Sequence, residues 1–147
     1  MANFNQNKLV SILGICFTIV VMVIVFGSME LTKRTEPAIT VDSQNLTVKG
    51  MFGIEQPLSG IKEISLKEEA PVVIKKTNGS AISDICRGSF DIAELGVGKL
   101  FVHLNQKPFI YIITDESYVI INFKDSNKTK ELYDKLMSEW GANAVKN

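Results

Sequence analysis

The sequence predicts an α+β protein: an amino-terminal transmembrane helix, then an antiparallel β-barrel of about seven strands capped by one carboxy-terminal helix. Three observations carry this. Residues Leu9 to Met29 form 21 consecutive positions without a charge. From Ala38 onward, apolar and polar residues alternate with turn residues at short intervals, the signature of half-buried strands. After Asp125-Ser126-Asn127 the apolar period lengthens to steps of three and four, which places one apolar stripe along a helix.

At about 1.5 Å per residue the uncharged run spans about 30 Å, the thickness of a bilayer's hydrocarbon core. Backbone polar groups must be satisfied internally there, which favours a helix despite the many Val and Ile residues. A cleaved signal peptide is the competing reading. Its apolar region is about 7 to 15 residues long and ends in small residues, whereas this run is longer and ends Phe26-Gly27-Ser28-Met29. Cys16 follows Ile15 in mid-run, so no lipid-attachment box precedes it. The anchor reading divides the chain into a tail (1–8), a membrane helix (9–29), a linker (30–37) containing Pro37, a domain (38–140) and a tail (141–147). Gly14 and Gly27 are too far apart for a G-x-x-x-G dimer face.

Sidedness follows from Lys and Arg near the helix ends. Lys8 stands on one side and Lys33 with Arg34 on the other, close to a balance. A short amino-terminal tail held inside places the domain outside the cell membrane, which is the expected orientation. Cys16 lies in the anchor, so no intramolecular disulfide joins it to Cys86, and a lone Cys86 is easier to accept in a reducing compartment, which argues against that orientation.

Sixteen basic and sixteen acidic residues cancel, so no global field recruits nucleic acid or an anionic surface. About 110 residues beyond the anchor suffice for one core. Within them Ile39 and Val41 alternate with polar neighbours, Asp42-Ser43-Gln44-Asn45 turns, and Leu46 and Val48 follow. Pro57, Ser59 and Gly60 break the chain. Ile61 to Leu66 sets Ile64 and Leu66 opposite Glu63 and Ser65. Val72 to Thr77 and Ser80 to Ile85 flank Asn78-Gly79, a strong type I′ hairpin signal. Phe90 to Ala93 and Lys99 to Leu104 flank a turn with Gly96 and Gly98. Phe109 to Thr114 and Tyr118 to Phe123 flank Asp115-Glu116-Ser117.

In the closing helix Leu132, Tyr133, Leu136, Met137 and Trp140 form the apolar stripe. Asp125 or Ser126 caps its start, Glu131 and Lys135 form an i, i+4 pair, and Gly141 is expected to end it. Trp140 and Met137 are core or lid contacts on this spacing and not a ligand box.

Short strands closed by one amphipathic helix suggest a pleckstrin-homology (PH)-like architecture. The stretch Ile85-Cys86-Arg87-Gly88-Ser89-Phe90-Asp91-Ile92-Ala93, then Gly96-Val97-Gly98-Lys99-Leu100-Phe101-Val102, then Phe109-Ile110-Tyr111-Ile112-Ile113-Thr114 resembles the bacterial PH-domain family found on small membrane proteins. These residues are structural glycines and core positions, so the resemblance implies a fold and no chemistry. Phosphoinositide-binding PH domains gather Lys and Arg around their first hairpin loop. Here that loop is Asp42-Ser43-Gln44-Asn45, with Lys49 alone beyond it. Phosphate capture needs clustered donors, so phosphoinositide binding is not expected.

No cofactor, metal or catalytic residue is assigned. His103, the single histidine, is expected to point outward from its strand, and no second His or Cys pair joins it as a metal ligand. A Cys86–His103 nucleophile pair lacks any mark of an activated thiol. Asp84, Asp91 and Glu94 are not spaced as an acid–base pair. Lys75-Lys76 is a solvated edge, Lys128 and Lys130 a solvated helix face, and Gly96-Val97-Gly98 leads into a strand and not a phosphate-binding helix. Two functions of different class remain. The first is a membrane-anchored module that offers a sheet edge or helix groove to a peptide or protein, without catalysis; packing on another membrane protein as an accessory subunit is its variant. The second is a small membrane-bound hydrolase or transferase using Arg87, Asp91 and His103 from an unrecognised loop site.

Overall fold

The computed structural model describes residues 6–34 and 36–144, with side chains over 10–28 and 36–142. The chain divides into two compact units between Thr35 and Glu36. The first is one helix, α1 (Gln6–Arg34), of 29 residues. Residues 30–34, expected to open a linker, continue this helix. Within it Val10–Ser28 is long and apolar enough to cross a membrane, with a mean hydropathy of 2.8 and none of it buried. Phe17 alone is 71% exposed. Moving each such side chain out of water is worth about 1.5–3 kcal/mol. The run's hydroxyls need no water either: Thr18 donates to the Gly14 carbonyl at 2.9 Å and Ser28 to that of Val25 at 2.8 Å, the back-bonding that suits an apolar medium. The side chains of Lys8, Lys33 and Arg34, on which orientation turns, lie outside the described residues.

The second unit holds nine strands in two sheets and one long helix, an α+β arrangement. Strands β1 (Ile39–Val41), β2 (Asn45–Val48) and β3 (Ile54–Pro57) form an antiparallel sheet in that order. The expected first turn holds: Asp42 Oδ1 accepts from the amides of Gln44 and Asn45 at 2.8 and 2.9 Å, and these bonds hold its carboxyl below the ordinary carboxylate range. Strand β3 is an addition to the sequence reading. Its Pro57, taken there as a break, ends an edge strand, where a missing N–H costs no ladder bond.

A 3-10 turn (Leu58–Gly60) leads to β4 (Ile61–Lys67), followed by β5 (Val73–Ile82), β6 (Ile85–Ile92), β7 (Gly96–His103), β8 (Phe109–Thr114) and β9 (Tyr118–Ile121). Their order in the second sheet is β4-β8-β9-β7-β6-β5. This sheet is mixed, which corrects the antiparallel expectation: β7 and β9 run parallel, with Leu100 opposite Ile120. Alternation gives the side-chain period and is blind to strand direction.

The hairpin expected at Asn78-Gly79 lies elsewhere. Strand β5 runs straight through both residues, and the chain reverses at Ser83-Asp84, between the paired Ile82 and Ile85. Ser83 takes a φ of 56° there. Gly79 instead sits opposite Gly88 beside a register shift. A Cβ on Gly88 would stand 2.6 Å from the Gly79 Cα, so these glycines serve close backbone approach and not reversal.

The second sheet is apolar on both faces over its central strands. One face carries Ile64, Phe101, Ile110, Ile112, Val119 and Ile121, packed with the first sheet's Val41, Leu46 and Val48 and with Leu132 and Leu136 of the closing helix α2 (Ser126–Ala144). The other face carries Cys86, Phe90, Ile92, Leu100, Val102, Phe109, Tyr111, Tyr118 and Ile120. No further sheet or helix among the described residues supplies partners to this second cluster, so the twisted sheet coils around it. Tyr118 pins the coil: its hydroxyl donates to the Phe90 carbonyl at 2.7 Å and that of Gly96 at 3.1 Å. Burial pushes its phenol up to about 12.

Helix α2 packs as expected, with Tyr133, Met137 and Trp140 against the first cluster. Asp125 Oδ1 accepts the Asn127 amide at 2.8 Å, an N-cap. Trp140 Nε1 donates to the Ile61 carbonyl at 3.3 Å. Gly141 does not end the helix, which continues to Ala144; a helical glycine costs only about 1 kcal/mol relative to Ala.

Candidate functional site

Strand alternation separates the residues considered for chemistry. Cys86 pairs with Val102 and Ile85 with His103, so Cys86 lies in the second cluster's face and His103 on the opposite one. The sheet itself keeps the thiol from the imidazole. Cys86 is buried, and desolvation with Asp84 nearby pushes its thiol up, the reverse of an activated nucleophile. Arg87 and His103 share a face, while Asp91 lies four residues farther along β6, paired with Val97. At about 3.3 Å per residue, Asp91 is some 13 Å along the strand from Arg87 and about 20 Å from the register position of His103. The three candidates of the enzyme reading are not brought together.

His103 corrects the outward expectation: it is 8% exposed. Asn122 fixes its backbone, accepting its amide at 2.7 Å and donating to its carbonyl at 3.1 Å. Its buried Nε2 has no hydrogen-bond partner and stands 3.9 Å from Glu36 Oε1. Glu36 in turn accepts the Lys124 amide at 2.8 Å and lies 3.9 Å from Lys128. Burial lowers the His103 pKa, with Arg87 and Lys124 acting in the same direction and Glu36 and Asp84 opposing. A depressed base is protonated first in the unfolded chain. The contribution of His103 is therefore fully present above the ordinary value of about 6.5 and is lost as pH falls below it. Denaturant midpoints between pH 7 and 5 are expected to fall more steeply for the native chain than for His103→Gln; parallel profiles would assign the acid sensitivity to other groups.

A cleft lies at one end of the coiled sheet, on the second cluster's face. It has a volume of about 550 Å³. Strand β4 presents Glu63, Ser65 and Lys67 to it, and Tyr111 and Ile113 of β8 stand opposite Ser65 and Glu63 in the ladder. The far wall is the β6–β7 turn, Ile92 to Leu95, and the β4–β5 loop from Glu69 to Val72 closes one side. The Ala93 amide ties turn and loop together by donating to the Val72 carbonyl at 2.9 Å. Among the described residues the outer edge of β4 has no strand partner, since β4 ends the sheet.

The polar groups of this slot are few. Ser65 Oγ is buried without a hydrogen-bond partner. Lys67 Nζ lies 4.7 Å from the centroid of the Tyr111 ring, a cation–π contact. The Tyr111 hydroxyl donates to the Glu69 carbonyl at 3.3 Å, and burial raises its pKa. Glu94 holds a φ of 71° at the rim, a region that side chains seldom occupy. Val72 and Leu95 line the slot and are themselves exposed, at 68% and 40%. Among the described residues no group of three His, Cys, Asp or Glu is placed to hold a metal ion.

The slot thus sets Glu63, Ser65, Lys67 and Tyr111 on one wall and Glu94 on the other. No protein family, curated protein or solved structure matches this chain. The sequence sets Glu63 and Ser65 on the polar side of their strand, opposite Ile64 and Leu66, without showing what that side faces. The pattern Glu63-x-Ser65-x-Lys67 was the available signal, but alternation does not reveal that a polar face curls over a cleft.

Proposed function

We propose that the chain is a single-pass, membrane-anchored interaction module, without catalysis, that receives an extended segment of a partner protein along β4. The observation that carries this is the unpaired outer edge of β4 beside a cleft of about 550 Å³ with an exposed apolar rim. Added strands gain backbone hydrogen bonds from a free edge and specificity from pockets that take alternate side chains. The apolar run Val10–Ser28 supports membrane attachment. The domain is taken as PH-like on its short strands and closing amphipathic helix; the parallel β7–β9 pair is a variation on that pattern.

The test is recovery of a partner with carboxy-terminally tagged protein from detergent-solubilised membranes. Leu95→Glu at the rim is expected to reduce recovery at least tenfold, while Met51→Glu, at an exposed position outside the slot, leaves it unchanged. Equal recovery with both variants would move the interaction off the slot. Protease access to the same tag in intact cells tests the outward orientation.

A further inference from the structure

We infer that the segment received by the slot carries a lysine or arginine, whose cationic head enters between Glu63, Glu69 and Glu94 while apolar neighbours cover Val72 and Leu95. This rests on the strand-addition reading above and names the chemistry of the occupant.

Charge is the first ground. The slot is lined by three carboxylates, Glu63, Glu69 and Glu94, against the single cation Lys67. The whole chain is balanced, sixteen against sixteen, so the excess is local to this site. Lys67 lies over the Tyr111 ring face at 4.7 Å. An anionic occupant would meet like charge from three directions, and a basic one is the complement.

Geometry is the second. Glu63 and Ser65 project into the slot at a two-residue period, so a strand laid along β4 presents alternate side chains to the same space. The five residues from Glu63 to Lys67 match about 16 Å of extended chain. The buried Ser65 Oγ, with no hydrogen-bond partner, offers a donor and an acceptor to whatever lies there. A buried hydroxyl left unmade is costly, which makes this atom a point where occupancy is favourable.

The rim is the third. The exposed large apolar residues described in the domain are Met51, Val72, Ile74, Leu95 and Val97. All but Met51 fall at this end of the sheet, where Val73 pairs with Ile92 and Asp91 with Val97. A free polyamine could use the carboxylates but neither this apolar rim nor the β4 backbone. A peptide uses all three.

The experiment uses the full chain in lipid nanodiscs and fluorescence anisotropy of three labelled, end-blocked heptapeptides. One alternates threonine and valine around a central lysine, the second has glutamate at the centre, and the third is the lysine peptide N-methylated at alternate amides. The lysine peptide is expected to bind at least tenfold tighter than the glutamate peptide. The double variant Glu63→Gln, Glu94→Gln brings that ratio towards one without shifting the thermal midpoint, and N-methylation weakens binding severalfold. Equal affinity for lysine and glutamate peptides overturns the charge selection and leaves strand addition standing. Binding by none of them overturns both, and displacement by equimolar spermidine assigns the slot to a free polyamine.

Discussion

Gly98→Ala is expected to destabilise the domain by about 3 kcal/mol, the upper part of the range for overpacking a core. Gly98 lies on β7 under the ring of Tyr118, and a Cβ there would stand 2.6 Å from Cδ1 and Cε1 of that ring and 2.7 Å from Cγ. The ring has nowhere to go. It is 1% exposed within the second cluster, and its hydroxyl is held by the carbonyls of Phe90 and Gly96. Either the phenol leaves both acceptors, or β7 moves away from β9 and breaks the parallel pairing of Lys99 with Val119. Urea unfolding of the full chain in micelles, followed by the fluorescence of the single tryptophan, Trp140, measures the loss. Tyr118→Leu removes the clashing ring, so its added cost in the Gly98→Ala background is expected to be smaller than in the native chain by at least about 1 kcal/mol. Additive losses would show that the ring and the glycine are not coupled.

That contact also shows what the sequence could and could not convey. The turn containing Gly96 and Gly98 was legible, because glycine punctuates strands. That Gly98 makes room for Tyr118 was not, since the two are brought together only by the parallel β7–β9 pair. The same topology hid the second apolar cluster. Strands β8 and β9 are buried along most or all of their length, and a continuous apolar run does not say what covers each face. Helix α2 was legible down to its stripe of Leu132, Leu136 and Trp140, because a helix on the outside of a sheet needs only one apolar side.

Turn chemistry misled at one point for a physical reason. Asn78-Gly79 has the residue types of a type I′ turn, yet Gly79 is used to let two backbones approach beside an irregular register, and the reversal goes to Ser83-Asp84. Local preference for a turn amounts to little against the ladder that β5 forms with β6 over its whole length. The slot was hidden for a related reason. A polar strand face such as Glu63-Ser65-Lys67 looks the same in sequence whether it meets bulk water or the inside of a coiled sheet. Only the order β4-β8-β9-β7-β6-β5, with β4 left at an edge, gives that face a cleft.

Membrane retention is expected to be lost altogether when two lysines are placed in the middle of α1, as in Ile19→Lys with Val23→Lys. Each lysine at the centre of a spanning helix costs about 2.5–3.5 kcal/mol, so the pair costs about 5–7 kcal/mol. Native Val10–Ser28 carries no charge, and its hydroxyls at Thr18 and Ser28 are bonded within the helix, so the run offers a lysine no acidic partner. The two-unit organisation predicts that the loss is confined to the anchor. The domain beyond Thr35 has its own two apolar clusters, and its Trp140 unfolding midpoint is expected to stay where it is. Carbonate extraction reads the first effect: the native chain and an Ile19→Leu, Val23→Leu control stay in the pellet, and the lysine variant moves to the supernatant. Retention of the lysine variant would show that something other than α1 holds the protein to the membrane. An intact mass lacking the residues up to Ser28 would make the run a cleaved leader, and the slot beside β4 would then meet its partner without a tether.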